Sequence, residues 1–261
     1  MLSTKAPIWE RSIDGIRVKV FDDQKNLMQN AAEPLFSLLR DNPDANIGLA
    51  TGSTFEGFYA HVAANFEKEG CSFKKAKTVN LDEYVGLEWT DPQSYHKYML
   101  DNFVSKVDIR KENAFIPNGN ARDLDAEAVA YDKHIQEIGG IDLQYLGVGV
   151  NGHIGFNEPG TPFTSRTHVV QLTPSTQEAN SRFFVARDVP VRAITMGIGT
   201  ILEARKVVVL ATGFSKAPIV KRMFEEGVIG DIPITALKGH ADATLMLDKE
   251  AAAILIGLRK P

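Results

Sequence analysis

Ile141-Asp142-Leu143-Gln144-Tyr145-Leu146-Gly147-Val148-Gly149 runs directly into Val150-Asn151-Gly152-His153-Ile154-Gly155-Phe156-Asn157-Glu158-Pro159. The first part is an apolar run of strand length that breaks into a glycine-rich turn. The second part sets an imidazole five residues ahead of a carboxylate, among glycines that let a ligand approach the backbone. In α/β proteins the carboxyl ends of buried strands carry binding and catalysis. The stretch therefore bears on both fold class and chemistry. Taken alone it would also fit a tight loop whose His and Glu are merely solvated.

Outward from this point, β-branched apolar runs alternate with segments of helical period. Strands are expected at Arg17–Phe21, Asn46–Ala50, Lys77–Leu81, Asp142–Leu146, Arg192–Met196, Val207–Ala211 and Ala253–Ile256. Helices are expected at Gln24–Arg40, Phe55–Glu69, Pro92–Phe103, Leu124–Ile138, Pro174–Phe184, Ile198–Ala204 and Ser215–Glu226. Asp91-Pro92 and Thr173-Pro174 each place an N-cap oxygen before a proline at the first helical position. Strand–helix–strand order predicts an α/β fold: one doubly wound, three-layer domain over residues 1–261, with a mostly parallel sheet. Pro159-Gly160-Thr161-Pro162 opens a polar stretch too long for a tight turn, so a lid is expected within residues 160–187.

Composition narrows the function classes. The chain has 261 residues, 44% of them hydrophobic and 24% charged, enough to bury one sizeable core. A net charge of −4 with no long Lys/Arg run argues against a nucleic-acid partner. The one cysteine, Cys71, cannot form an internal disulfide and fits a reducing compartment. Neither a signal-like N-terminus nor a run of membrane-spanning length is present, so a cytoplasmic protein without a membrane partner is expected.

Three further stretches add chemistry. Gly48-Leu49-Ala50-Thr51-Gly52-Ser53-Thr54 leads from a strand into a helix. Gly52 frees the backbone to wrap an anion, Thr51, Ser53 and Thr54 offer hydroxyls, and the helix start points unpaired N–H groups outward. The same residues also fit a capped helix after a tight turn. They make neither a Walker loop nor a dinucleotide fingerprint. Arg182, and more strongly Lys216 after Thr212-Gly213-Phe214-Ser215, are the cations that could complete a phosphate grip. Asp82 in Asn80-Leu81-Asp82-Glu83-Tyr84 sits where the chain leaves its strand; it suits proton abstraction beside a carbonyl, or capping of the next turn. In a parallel sheet all these strand ends share one edge. The six histidines lack metal-ligand spacing, and no Gly-x-Ser-x-Gly elbow occurs. The expected chemistry is metal-free acid–base work on a phosphorylated small molecule.

At this point the chain resembles the glucosamine-6-phosphate deaminase (isomerase) family over roughly Val18 to Leu258. Leu81-Asp82-Glu83-Tyr84-Val85-Gly86-Leu87 and Asn151-Gly152-His153-Ile154-Gly155-Phe156-Asn157-Glu158-Pro159 are its most specific strings. Supporting pieces are Ser165-Arg166-Thr167, Asn180-Ser181-Arg182-Phe183-Phe184 and Thr195-Met196-Gly197. The resemblance implies a Rossmann-like fold and cofactor-free conversion of glucosamine 6-phosphate and water to fructose 6-phosphate and ammonia, in amino sugar catabolism. It implies that Asp82 moves the proton between C2 and C1, and that His153, helped by Glu158, opens the pyranose ring. It implies a phosphate grip by Thr51, Gly52, Ser53, Thr54, Arg182 and Lys216.

The chain departs from the family pattern in places. Asn151 stands where many members have Asp, and unlike Asp it cannot pass a proton. Phe55 replaces a common Pro. His168 and Val170 occupy positions that are basic in allosterically activated members, so a monomer or small homo-oligomer without that activator is expected. The chain also ends soon after its last expected strand, leaving a short C-terminal interface element. Competing readings are galactosamine-6-phosphate deamination, a 6-phosphogluconolactonase-like hydrolase and a sugar-phosphate-sensing domain. A hydrolase would need no C2 base, and a sensor would need neither Asp82 nor the His153–Glu158 pair.

Overall fold

The computed structural model describes residues 5–181, 184 and 188–257. Its strands are β1 (Trp9–Ile13), β2 (Ile16–Phe21), β3 (Asn46–Leu49), β4 (Lys77–Asn80), β5 (Asp82–Tyr84), β6 (Ala114–Phe115), β7 (Leu143–Gly147), β8 (His168–Gln171), β9 (Arg192–Thr195), β10 (Val207–Ala211) and β11 (Ala243–Asp248). Its α-helices are α1 (Gln24–Asp41), α2 (Ser53–Asn65), α3 (Tyr95–Met99), α4 (Leu124–Glu137), α5 (Pro174–Ser181), α6 (Ile198–Leu202), α7 (Ala217–Glu225) and α8 (Lys249–Ala252).

An eight-stranded sheet runs in the order β1-β2-β11-β10-β7-β3-β4-β6. All its pairings are parallel except the β1–β2 hairpin at one edge. Every residue of β3 and of β10 is buried, as expected when helices cover both faces. From β3 the chain moves outward through β4 to β6. It then returns to β7 beside β3 and moves the other way through β10 to β11. Right-handed crossovers running in opposite directions lay helices on opposite faces, and the carboxyl ends of β3 and β7 border the crevice where the direction reverses.

Three expectations need correction. Arg192–Thr195 is a strand, but it lies outside the parallel sheet, in a separate antiparallel sheet of order β5-β9-β8. Chain pairing over the site builds this sheet: Asp82–Tyr84 resumes extended structure just past β4 and pairs with β9. Ala253–Ile256 is not a strand. The last strand is β11, wholly buried, and Asp248 at its end caps α8 by accepting the Ala251 N–H at 2.8 Å. The helix expected from Pro92 starts at Tyr95. Asp91-Pro92 makes a turn instead, and Ser94 is the cap, accepting the Lys97 N–H at 3.0 Å. Thr173 does act at the start of α5, its Oγ1 lying 3.3 Å from the Thr176 N–H. Of the expected lid segment, His168–Gln171 is built into the small sheet as β8. Residues 182–183 and 185–187 lie outside the described residues.

Candidate active site

The β3–α2 turn is shaped for an anion. Gly52 has φ +111°, a conformation a side chain would strain, and it directly precedes α2. The Tyr98 hydroxyl donates to the Gly52 carbonyl at 2.8 Å and that of Tyr59 to the Ala50 carbonyl at 2.6 Å, so the turn is held from both sides. Thr54 meets Thr212 across the sheet edge at 3.1 Å between hydroxyls. This joins the first turn to the one after β10, where Lys216 lines the same cavity. Asp248 fixes that second turn by accepting the Gly213 N–H at 3.0 Å.

Asp82 and Glu83 are adjacent and both buried, but alternation along β5 sends their side chains to different surroundings. Glu83 accepts the N–H groups of Tyr84, Tyr95 and His96 at 2.8, 2.9 and 2.9 Å, so it anchors the start of α3. Burial still pushes its carboxyl above the ordinary range, partly offset by these bonds. Asp82 faces the cavity, and no described residue donates a hydrogen bond to its carboxylate. Burial, with the charge of Glu83 adding to it, raises its pKa to about 8. An ionised carboxylate there is a strong and poorly solvated base.

The β7 turn builds the opposite wall. His153 lies against the Gly149 backbone so closely that a Cβ at residue 149 would stand 2.3 Å from the ring, which is why glycine is needed there. Its Nδ1 is buried and faces Glu158 Oε2 at 3.7 Å. Asn151 donates to the same Oε2 at 2.7 Å and accepts the His153 N–H at 3.2 Å. Thr176 and Thr173 of the α5 segment donate to Oε1, the latter at 3.3 Å. Burial alone would raise the Glu158 carboxyl, but the nearby His153 imidazole and the hydrogen bonds from Thr176 and Asn151 outweigh it and hold it at about 2. Glu158 is thus a permanent anion standing behind His153.

These walls enclose a cavity of about 730 Å³. Thr51, Gly52, Ser53, Thr54, Asp82, Asn151, His153 and Lys216 all line it, while Glu158 backs His153. Arg182 lies outside the described residues. Several lining residues were not anticipated from the sequence: Tyr84, Tyr95 and Tyr98, with Thr176 and Asn180 from α5. The Tyr95 hydroxyl donates to that of Tyr84 at 3.3 Å, with Thr51 and Asn180 on the same cavity wall. A line of polar groups therefore runs from the anion turn to α5. The i, i+3 spacing of Tyr95 and Tyr98 on one helix face was the available signal. Among the described residues no group of three or more His, Cys, Asp or Glu could hold a metal ion. Among the same residues no helix is long and apolar enough to cross a membrane.

Known proteins are similar to this chain over most of its length. Residues 22–246 match the family model described as glucosamine-6-phosphate isomerases/6-phosphogluconolactonase. A glucosamine-6-phosphate deaminase of Bacillus velezensis is 48% identical over 87% of this chain and 95% of its own length. Glucosamine-6-phosphate deaminase 1 of Bacillus subtilis is 47% identical over 91% of this chain and 99% of its own. A solved structure of a monomeric glucosamine-6-phosphate deaminase superposes with a TM-score of 0.88 at 45% identity, over 91% of this chain and 99% of that one. The 6-phosphogluconolactonase of Trypanosoma brucei shares the fold, with a TM-score of 0.72 at 19% identity over 94% and 100% of the two chains. By its matched length and its identity to these relatives, the chain belongs to the glucosamine-6-phosphate isomerase/6-phosphogluconolactonase family.

Proposed function

We propose that the protein converts glucosamine 6-phosphate and water to fructose 6-phosphate and ammonia. The observation that carries this reading is Asp82, a buried carboxylate with no hydrogen-bond donor among the described residues, in one cavity with the His153–Glu158 pair and an anion turn. The relatives at 46–48% identity that bear the deaminase name support it.

In this reading the phosphate is held by the N–H groups and hydroxyls at Thr51, Gly52, Ser53 and Thr54, by Lys216 and by Arg182. His153, kept in place by Glu158, takes the O1 proton of the pyranose and returns a proton to the ring oxygen, which opens the ring. Asn151 orients Glu158 and passes no proton. Asp82 removes the C2 proton of the open-chain aldehyde and delivers it to C1. The resulting ketimine adds water at C2 and releases ammonia. Desolvation of Asp82 makes the anion basic enough for a carbon acid, and the substrate's own ammonium favours that ionised form.

The protein acts on its own as a monomer or small homo-oligomer in the cytoplasm, with no cofactor; light scattering across a dilution series checks the assembly. Coupled detection of ammonia and fructose 6-phosphate from glucosamine 6-phosphate tests the reaction. Unphosphorylated glucosamine is a very poor substrate. Absence of ammonia, or faster turnover of galactosamine 6-phosphate, overturns the assignment.

A further inference from the structure

The two oxygens of Glu158 are divided between two parts of the chain. Oε2 faces the β7 turn, meeting Asn151 at 2.7 Å and His153 Nδ1 at 3.7 Å. Oε1 faces α5, meeting the hydroxyls of Thr176 and, at 3.3 Å, Thr173. The two threonines also bond to each other at 3.1 Å, and Thr173 holds the start of the helix through the Thr176 N–H. Thr176 is buried, yet it borders the cavity. One turn further along α5, Asn180 lines the same cavity as Tyr84 and Asp82. A glutamate carboxylate can turn away from a partner about its side-chain torsions, and a donor on the far oxygen restricts that freedom.

We propose that Thr176, braced by Thr173, is a positioning residue for the His153–Glu158 pair: its hydroxyl takes Oε1, so Oε2 stays on His153, and the pair is tied to the seating of α5 on the cavity. Thr176 is not itself required to touch the reacting atoms. The inference rests on the proposed deaminase reading for its kinetic test, but not for its spectroscopic one. The described side chains that face Glu158 are Asn151, His153, Thr173 and Thr176, and His153 is the one titratable group among them.

The test compares the parent with Thr176→Val, which keeps the branched shape and removes the hydroxyl, and Thr176→Ser, which keeps the hydroxyl. Expected for Thr176→Val is a kcat reduced roughly 10- to 100-fold, the loss of one charge-assisted hydrogen bond, with KM changed less than about twofold. The Glu158 carboxyl carbon, followed by NMR, titrates at higher pH than in the parent, and Thr176→Ser restores both readouts. Unchanged kcat and unchanged Glu158 titration in Thr176→Val overturn the proposal. Failure of Thr176→Ser to rescue, with Glu158 titrating as in the parent, also overturns it and makes the role one of packing. If Thr176→Val unfolds, Thr176→Ala against Thr176→Ser carries the same two readouts. A parent that releases no ammonia, with Glu158 still shifted in Thr176→Val, sinks the deaminase reading and leaves the positioning role standing.

Discussion

Asp82 and Glu158 are both buried carboxylates on one cavity, and the fold drives them in opposite directions. Asp82 sits on the small antiparallel sheet with no described donor, and burial raises its pKa to about 8. Glu158 sits in the loop after β7, where His153 at 3.7 Å and the hydrogen bonds from Thr176 and Asn151 hold it at about 2 despite burial. Hydrogen bonding decides the sign. A carboxylate stripped of donors becomes a base for carbon, while one saturated with donors becomes a fixed charge that steers an imidazole.

The sharpest way to break this contrast is to remove the base. Asp82→Asn should bind substrate and lose kcat roughly 10²- to 10⁴-fold, with C2 proton exchange into solvent stopping as well. Near-parent turnover would mean that another group takes the proton. The pH profile sharpens the same point. The ionised form is the active one, so kcat/KM should climb with pH and level off above about 8. The limb of kcat should lie at lower pH, because a bound ammonium stabilises the anion. Coinciding limbs would argue against that contact.

Lys216→Ala tests the wall proposed to hold the phosphate for both carboxylates. It should raise KM roughly 10- to 150-fold and leave kcat nearly intact, as loss of a charge-assisted bond of about 1.5–3 kcal/mol. An unchanged KM would place the phosphate elsewhere. EDTA should leave all of these activities untouched, and a strict need for a divalent ion would break the acid–base scheme.

The two carboxylates should also bend stability in opposite directions with pH. Asp82 has a folded pKa above its unfolded value, so its contribution is complete below about 4 and is lost as pH rises through about 8. Asp82→Asn should therefore melt higher than the parent at pH 9 and converge with it on acidification. Glu158 has a folded pKa below its unfolded value, so its contribution is present above about 4.5 and is lost as pH falls through about 2. Glu158→Gln should melt lower than the parent at pH 7, with the gap closing in acid. Thermal melts of both variants across pH decide the matter, and parallel curves would contradict the contrast.

How far this was legible in the sequence differs between the two regions. The His153–Glu158 loop follows an apolar strand that breaks into glycines, and β3 and β10 are short apolar runs that end in turn residues, so that side of the cavity is read directly. Asp82 was found because it ends the β4 run, but the small sheet was not foreseen. Its strands β5 and β8 are three and four residues long and carry no alternation that outweighs their polar neighbours. Ala243–Asp248 and the alanine-rich run after it look alike as sequence, because periodicity does not separate a buried strand from a short helix segment. Tyr84, Tyr95 and Thr176 line the cavity only through tertiary pairing of β5, α3 and α5, which local pattern does not encode.

The smallest expected effect is none at all, and it follows from the same small sheet. Thr195 of β9 pairs with Asp82 on one side and with His168 on the other, so His168 lies in register with the proposed base. Positions 168 and 170 are where basic residues serve activated relatives, and a ligand gripped there would pull on the strand next to Asp82. In this chain the His168 Nδ1 is engaged with the Arg166 carbonyl at 2.8 Å. Val170 packs against the apolar cluster around Tyr84 and Phe156. Neither is built to hold a phosphate dianion in place of water: Val offers no donor, and His168 already spends Nδ1 on the Arg166 carbonyl. Activation requires a ligand that binds one state of the protein better than another, and His168 and Val170 provide no such differential contact. Rates should therefore be hyperbolic in glucosamine 6-phosphate, and N-acetylglucosamine 6-phosphate should act as no more than a weak competitor. Sigmoidal rates that turn hyperbolic on adding the acetylated sugar would show that the Asp82 sheet is under remote control, and other cations would then have to supply the grip.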